Sequence, residues 1–149
     1  MEIRPEPTFE ITQLANSSAA FGVLVDYLAN IEPFSRYDFG NFSHALQYQL
    51  QRQCHVAALS AGKLVGYCGW LANSNEMAIA WVEGRGRLLP GDSAADAVVL
   101  TVVAAPNRAV LMAMIGRARD LNPGRRVHFK RQYTDKRPAR KASVENARP

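Results

Sequence analysis

Apolar and polar residues recur along the chain with two different periods, and the changes between them mark its elements. After Asn16-Ser17-Ser18, a helix-start signal, Ala19, Ala20, Phe21, Val23, Leu24, Tyr27 and Leu28 return at helical spacing. Glu32-Pro33 ends that helix, because the residue before a proline is driven out of the α region. Phe34 to Gly40 reads as a loop carrying Ser35, Arg36, Tyr37 and Asp38. Asn41 or Ser43 then caps a second helix that runs through Leu46 and Leu50 to Gln53. Beyond it His55–Leu59 and Lys63–Trp70 flank Ser60-Ala61-Gly62, the pattern of a β-hairpin with a short glycine turn.

Asn73 to Val82 reads as a short helix capped near Ser74, with Met77, Ile79, Ala80 and Trp81 inward. Gly84-Arg85-Gly86-Arg87 and Pro90-Gly91-Asp92-Ser93 are loop signals. Ala97 to Ala105 is an unbroken apolar run rich in valine, which suits a central strand buried on both faces. Asn107 to Leu121 follows as an apolar helix, stopped by Asn122-Pro123-Gly124. Arg125 to Tyr133 alternates like an outer strand. The order predicts an α/β fold, a mixed central sheet of four to five strands flanked by helices. Residues 1–14 are an extended or frayed start, 15–133 the domain, and 134–149 a polar, basic, disordered tail.

Composition narrows the class. A chain of 149 residues, 48% hydrophobic and 21% charged, is globular and has room for one domain. No run approaches the roughly 18 apolar residues of a membrane span, and Met1 to Pro7 carries no basic-then-apolar signal. Cys54 and Cys68 are two thiols in apolar segments rather than a disulfide framework. A cytoplasmic protein is the expectation.

The net charge of +5 is unevenly placed. Residues 125–149 hold nine bases against Asp135 and Glu145, whereas the rest of the chain holds nine bases and eleven acids. A basic end on a nearly neutral body implies an acidic partner.

Most sites of familiar chemistry are absent from the pattern. His44, His55 and His128 fall in different elements, so no metal site is expected. Gly84-Arg85-Gly86-Arg87 lacks the lysine and Ser/Thr of a P-loop and the full dinucleotide fingerprint. Cys68, between Tyr67 and Trp70 on a strand, reads as a buried, inert thiol.

Lys63-Leu64-Val65-Gly66-Tyr67-Cys68-Gly69-Trp70 resembles the P-V-A-Y-C-S-W-A strand of the toxin-activating lysine acyltransferases, the bacterial family that fatty-acylates RTX toxins such as haemolysin. Glu32-Pro33-Phe34-Ser35-Arg36 is similar to that family's S-P-x-H-R loop, and Pro90-Gly91-Asp92 to its S-G-D turn. The resemblance spans residues 20–133. It implies a GNAT-like cytoplasmic enzyme, often a homodimer, with no bound cofactor. Such an enzyme takes a fatty-acyl chain from acyl carrier protein and moves it to a lysine ε-amine of a protein substrate. Arg125, Arg126, Lys130 and Arg131 would then face the acidic, acyl-loaded carrier.

The family's catalytic histidine aligns with Ser35, and its catalytic aspartate falls near Leu100. His44, nine residues beyond Ser35, is the candidate replacement base, and Asp96 is the carboxylate nearest the central strand. Two readings stay open: an acyltransferase with a rebuilt site (Ser35, His44, Asp96), or a binding or scaffold module that kept the fold without the chemistry. Nucleic-acid binding through the basic end is disfavoured, since only Phe129 and Tyr133 interleave with the bases.

Overall fold

A computed structural model of the chain describes residues 8–85, 95–131 and 140–145, with residues 130–131 and 140–145 described as backbone. The Pro90-Gly91-Asp92 turn and tail residues 132–139 and 146–149 lie outside these. The elements run β1 (Glu10–Thr12), α1 (Ser18–Ala29), a 3-10 turn (Phe34–Arg36), α2 (Phe39–Arg52), β2 (His55–Ser60), β3 (Lys63–Asn73), α3 (Asn75–Val82), β4 (Ala97–Ala104), α4 (Arg108–Asp120), β5 (Arg126–Arg131) and β6 (Arg140–Glu145). The strands form one mixed sheet in chain order. β1, β2 and β3 pair antiparallel, β4 and β5 parallel, and β5 and β6 antiparallel.

The expected mixed α/β sheet flanked by helices is present, with six strands instead of four to five. The two additional strands are elements whose own sequence carries little signal. β1 is three residues long and is ordered by its pairing with β2, from Glu10↔Leu59 to Thr12↔Ala57. β6 lies in the tail read as disordered, and it is extended against β5 from Arg126↔Glu145 to Arg131↔Arg140. Long-range pairing overrides local composition at both places. Asp38, rather than Asn41 or Ser43, caps α2, its Oδ1 accepting the Gly40 N–H at 2.9 Å. The hairpin turns at Ala61 and Gly62 with φ of 51° and 77°. Two successive positive φ values make this a two-residue turn whose twist matches its strands, with glycine at the second position.

The chain groups into two compact units, Met1–Gly69 with Val103–Ala118, and Trp70–Val102 with Arg119–Pro149. In the first, alternation along β3 sends Gly66 to one face and Tyr67 and Gly69 to the other. A Cβ on Gly66 would lie 3.0 Å from Val110 Cγ1 and 3.2 Å from Met114 Sδ, so α4 packs directly on the backbone there. On the opposite face Tyr67 donates its hydroxyl to Gln49 Oε1 of α2 at 2.6 Å. A Cβ on Gly69 would collide with that same Gln49 carboxamide. Gly66 and Gly69 thus let two helix layers approach one strand from both sides. Tyr27 of α1 adds a hydrogen bond to the Val65 carbonyl at 3.0 Å.

His55 completes this layer. Its Nδ1 lies 3.2 Å from the Gln49 carbonyl and its Nε2 accepts the Leu14 N–H at 2.8 Å, while the ring stacks on Tyr67 at 5.6 Å. An N–H at Nδ1 and a lone pair at Nε2 define the neutral tautomer. Burial lowers the His55 pKa, the two backbone hydrogen bonds opposing it. Burial likewise pushes the Cys68 thiol up to about 12, in keeping with an inert cysteine.

In the second unit Ala78 of α3 packs on Ala97 and Val99 of β4, with Trp81 against them. Asp96 Oδ1 accepts the Asn75 N–H at 2.9 Å, placing a carboxylate on the first turn of α3. The Asp96 carbonyl accepts the Arg126 N–H at 3.1 Å. His128 of β5, also buried, lies with Nε2 2.7 Å from Asn75 Oδ1. Burial lowers its pKa, the Arg126 charge adds to this, and Asp96 opposes it.

Both histidines therefore bind protons more weakly folded than unfolded. Stability is full above their ordinary pKa of about 6.5 and is lost as the pH falls through the lowered folded values. The denaturant midpoint is expected to be lower at about pH 5 than at about pH 7.5. An unchanged midpoint in urea melts at the two pH values would refute the neutral, buried assignment.

Candidate functional site

A small apolar pocket opens in the first unit where α1, the 3-10 turn and α2 meet. Its volume is about 170 Å³, and its walls include Val25 and Ala29 of α1, Ser35 of the turn, and Phe42, Ser43 and Leu46 of α2. The walls are built around an aromatic trio. Phe34 and Phe42 stack with centroids 5.7 Å apart and planes 2° apart, and Tyr37 meets both edge-on at 5.6 and 5.1 Å. These are the favoured offset and edge-to-face arrangements, which hold the wall side chains in fixed rotamers. Burial raises the Tyr37 pKa and keeps its hydroxyl neutral. Phe39, 70% exposed, also lines the pocket.

The sequence at 32–42 accounts for this shape. Asp38 caps α2, and its Oδ2 also accepts from Asn41 Nδ2 at 3.4 Å, fixing where the helix begins. Phe39 and Phe42 are then three residues apart on the same side of its first turn. Ser43 donates to the Gly40 carbonyl at 3.1 Å, so its hydroxyl hydrogen is engaged within the helix. Ser35 is an exposed residue of the pocket lining. The Arg36–Glu32 pair, 2.8 Å across, sits beside it on the surface and adds little stability.

The seven residues singled out from sequence fall in four places. Ser35 lines the pocket. His44 is exposed on α2 and lines neither this pocket nor the neighbouring open hollow of about 450 Å³ bounded by Arg36, Asp38 and Ala45. Asp96 belongs to the other compact unit, with its carboxylate on the α3 turn. Arg125, partly buried, precedes β5 and donates to Asn122 Oδ1 at 3.2 Å. Arg126, Lys130 and Arg131 are β5 positions paired in register with Glu145, Lys141 and Arg140. Leu100, where the family's aspartate aligns, is a buried apolar position paired with Phe129.

Sequence reasoning missed the two polar clusters that the fold assembles, Gln49–His55–Tyr67 and Asn75–Asp96–His128. Their members lie up to 53 residues apart and join different elements, so no local pattern marks them. Among the described residues no group of three or more His, Cys, Asp or Glu is placed to hold a metal ion. No described helix is long and apolar enough to cross a membrane.

No protein-family model and no curated protein sequence matches the chain. Solved structures do resemble it. The GphF GNAT-like decarboxylase in complex with isobutyryl-CoA superposes with a TM-score of 0.60 at 16% identity, over 85% of this chain and 67% of that one. The loading GNATL domain of CurA from Lyngbya majuscula gives 0.58 at 10% identity, over 87% and 71%. The PaiA N-acetyltransferase from Thermoplasma acidophilum in complex with coenzyme A gives 0.55 at 8% identity, over 87% and 82%. At these identities the likeness is one of architecture. The chain has a GNAT-like fold.

Proposed function

We propose that this chain handles acyl thioesters and transfers the acyl group from an acyl carrier protein to a lysine ε-amine of a protein. The observation that carries the reading is the apolar, serine-edged pocket on a GNAT-like fold. Two solved neighbours of that fold are described in complex with coenzyme A or with isobutyryl-CoA, a thioester, which supports a thioester as the ligand class. The resemblance to the toxin-activating acyltransferases supplies the carrier protein and the lysine. Arg125, Arg126, Lys130 and Arg131 supply positive charge for an acidic carrier.

In the reaction the neutral amine nitrogen attacks the thioester carbonyl and a carbon–nitrogen bond forms. The carbonyl oxygen carries the negative charge until the carbon–sulfur bond breaks and the thiolate leaves. The amine's extra proton ends on the thiolate or on solvent. Ser35, a residue of the pocket lining, carries a hydroxyl suited to donate a hydrogen bond to that oxygen.

Mass spectrometry after incubation with hexanoyl- or palmitoyl-loaded carrier protein and a lysine-bearing substrate tests the transfer. An adduct that grows with enzyme concentration is expected, and its absence would overturn the transferase reading. A second reading, a binding module without chemistry, is favoured by one observation. Of the three histidines, two are buried in hydrogen bonds and the third does not line the pocket with Ser35. Carrier protein bound without turnover is the outcome that would select it.

A further inference from the structure

We infer that the pocket between α1, the 3-10 turn and α2 holds the acyl group itself and limits it to short chains, about six carbons or fewer. The inference rests on the proposed acyl-transfer reading and adds the substrate class. Three features carry it.

The first is size. An engineered apolar cavity of about 150 Å³ accepts benzene, a six-carbon ring. The present volume of about 170 Å³ therefore matches a butyryl to hexanoyl chain and leaves a fatty chain of twelve or more carbons largely outside. The second is chemistry. The surfaces offered by Val25, Ala29, Phe42 and Leu46 are hydrocarbon, and the polar residues of the lining are Ser35, at an exposed position, Tyr37, and Ser43, whose hydroxyl donates to the Gly40 carbonyl. That pattern suits a ligand with an apolar body and a carbonyl at its mouth. The third is rigidity. The stacked and edge-on contacts of Phe34, Tyr37 and Phe42 brace the aromatic side of the pocket, so that side does not yield to a simple rotamer change. The implied chain is shorter than the fatty-acyl group that the family resemblance carries.

The test titrates the full chain with N-acetylcysteamine thioesters of butyrate, hexanoate, octanoate and dodecanoate, following the ring signals of Tyr37, Phe39 and Phe42 by NMR. Hexanoyl thioester is expected to shift all three, with affinity rising to six carbons and no further gain at twelve. Ala29→Leu, at an exposed helical position, fills the pocket and is expected to weaken hexanoyl binding about tenfold, the loss of roughly two buried methylenes. Phe39→Ala removes an exposed wall and is expected to weaken it several-fold, while Ser35→Ala lowers affinity for the thioester and leaves affinity for hexane unchanged. Absent ring shifts, affinity that climbs steadily to dodecanoyl, or an indifferent Ala29→Leu variant would each overturn the inference. Binding is read without turnover, so ring shifts with no lysine adduct would keep the pocket and remove the transferase. An adduct with no ring shifts would do the reverse.

Discussion

Replacing Gly69 with alanine is expected to destabilise the protein by about 2–4 kcal/mol. The new methyl would meet the Gln49 carboxamide head-on. Gln49 is fully buried and accepts the Tyr67 hydroxyl, so its side chain cannot swing aside without leaving that hydroxyl without its present acceptor. Overpacking costs about 1–3 kcal/mol and a stranded buried polar group about as much again. Gly66→Ala is the internal comparison, on the same strand but facing α4. Its methyl would press on Val110 Cγ1 and on the end of Met114, which is flexible enough to yield, and a loss of about 1 kcal/mol is expected. Urea melts of both variants decide it, since equal losses would mean that the Gln49–Tyr67 pair is not what Gly69 protects. Gln49→Ala gives a second readout. In that background Gly69→Ala should cost about 1 kcal/mol or less, a coupling that a double-mutant cycle measures directly.

The second large effect concerns rate. A lysine amine has an ordinary pKa of about 10.4, so only its scarce neutral form attacks a thioester near neutral pH. Among the described residues no imidazole lines the pocket with Ser35, and solvent is then the acceptor of the amine proton. The expected result is that kcat/KM for acyl transfer rises about tenfold per pH unit, roughly a hundredfold between about pH 7 and about pH 9, without a plateau. A bend in the profile that disappears in His44→Ala would instead make His44 the general base. A profile measured with both proteins therefore separates a site served by solvent from one served by His44.

The sequence made some features legible and others not, for identifiable reasons. α1, the β2–β3 hairpin, β4 and α4 announce themselves through period, caps and a glycine turn, and all four stand where the pattern puts them. β1 and β6 exist only as partners of longer strands, and no composition rule reaches them. At the site the resemblance brought out Ser35, which does line a pocket. It could not indicate that Phe34, Tyr37, Phe39 and Phe42 close around that serine, since their meeting depends on where Asp38 starts α2. Asp96 was singled out as a carboxylate near a strand. Its hydrogen bond to the first amide of α3 follows from the fold and from nothing in the local sequence. The glycines of β3 teach a related lesson: the segment most similar to a known enzyme family is held by packing on both faces of a sheet, so it tracks architecture more closely than chemistry.

His55 has a consequence for how the molecule opens. Its ring joins the backbone at Leu14 to the end of α2, and Gln13 Nε2 reinforces the joint by donating to the Gln53 and His55 carbonyls at 3.0 and 3.1 Å. The segment ahead of α1 is thereby fastened to residues some 40 positions later, through a group that is fully buried. Releasing it strands a buried ring nitrogen, so the cost of detachment resembles that of opening the surrounding layer. The amides of the first strand are therefore expected to be better protected from hydrogen exchange than those of a three-residue edge strand without such a tie.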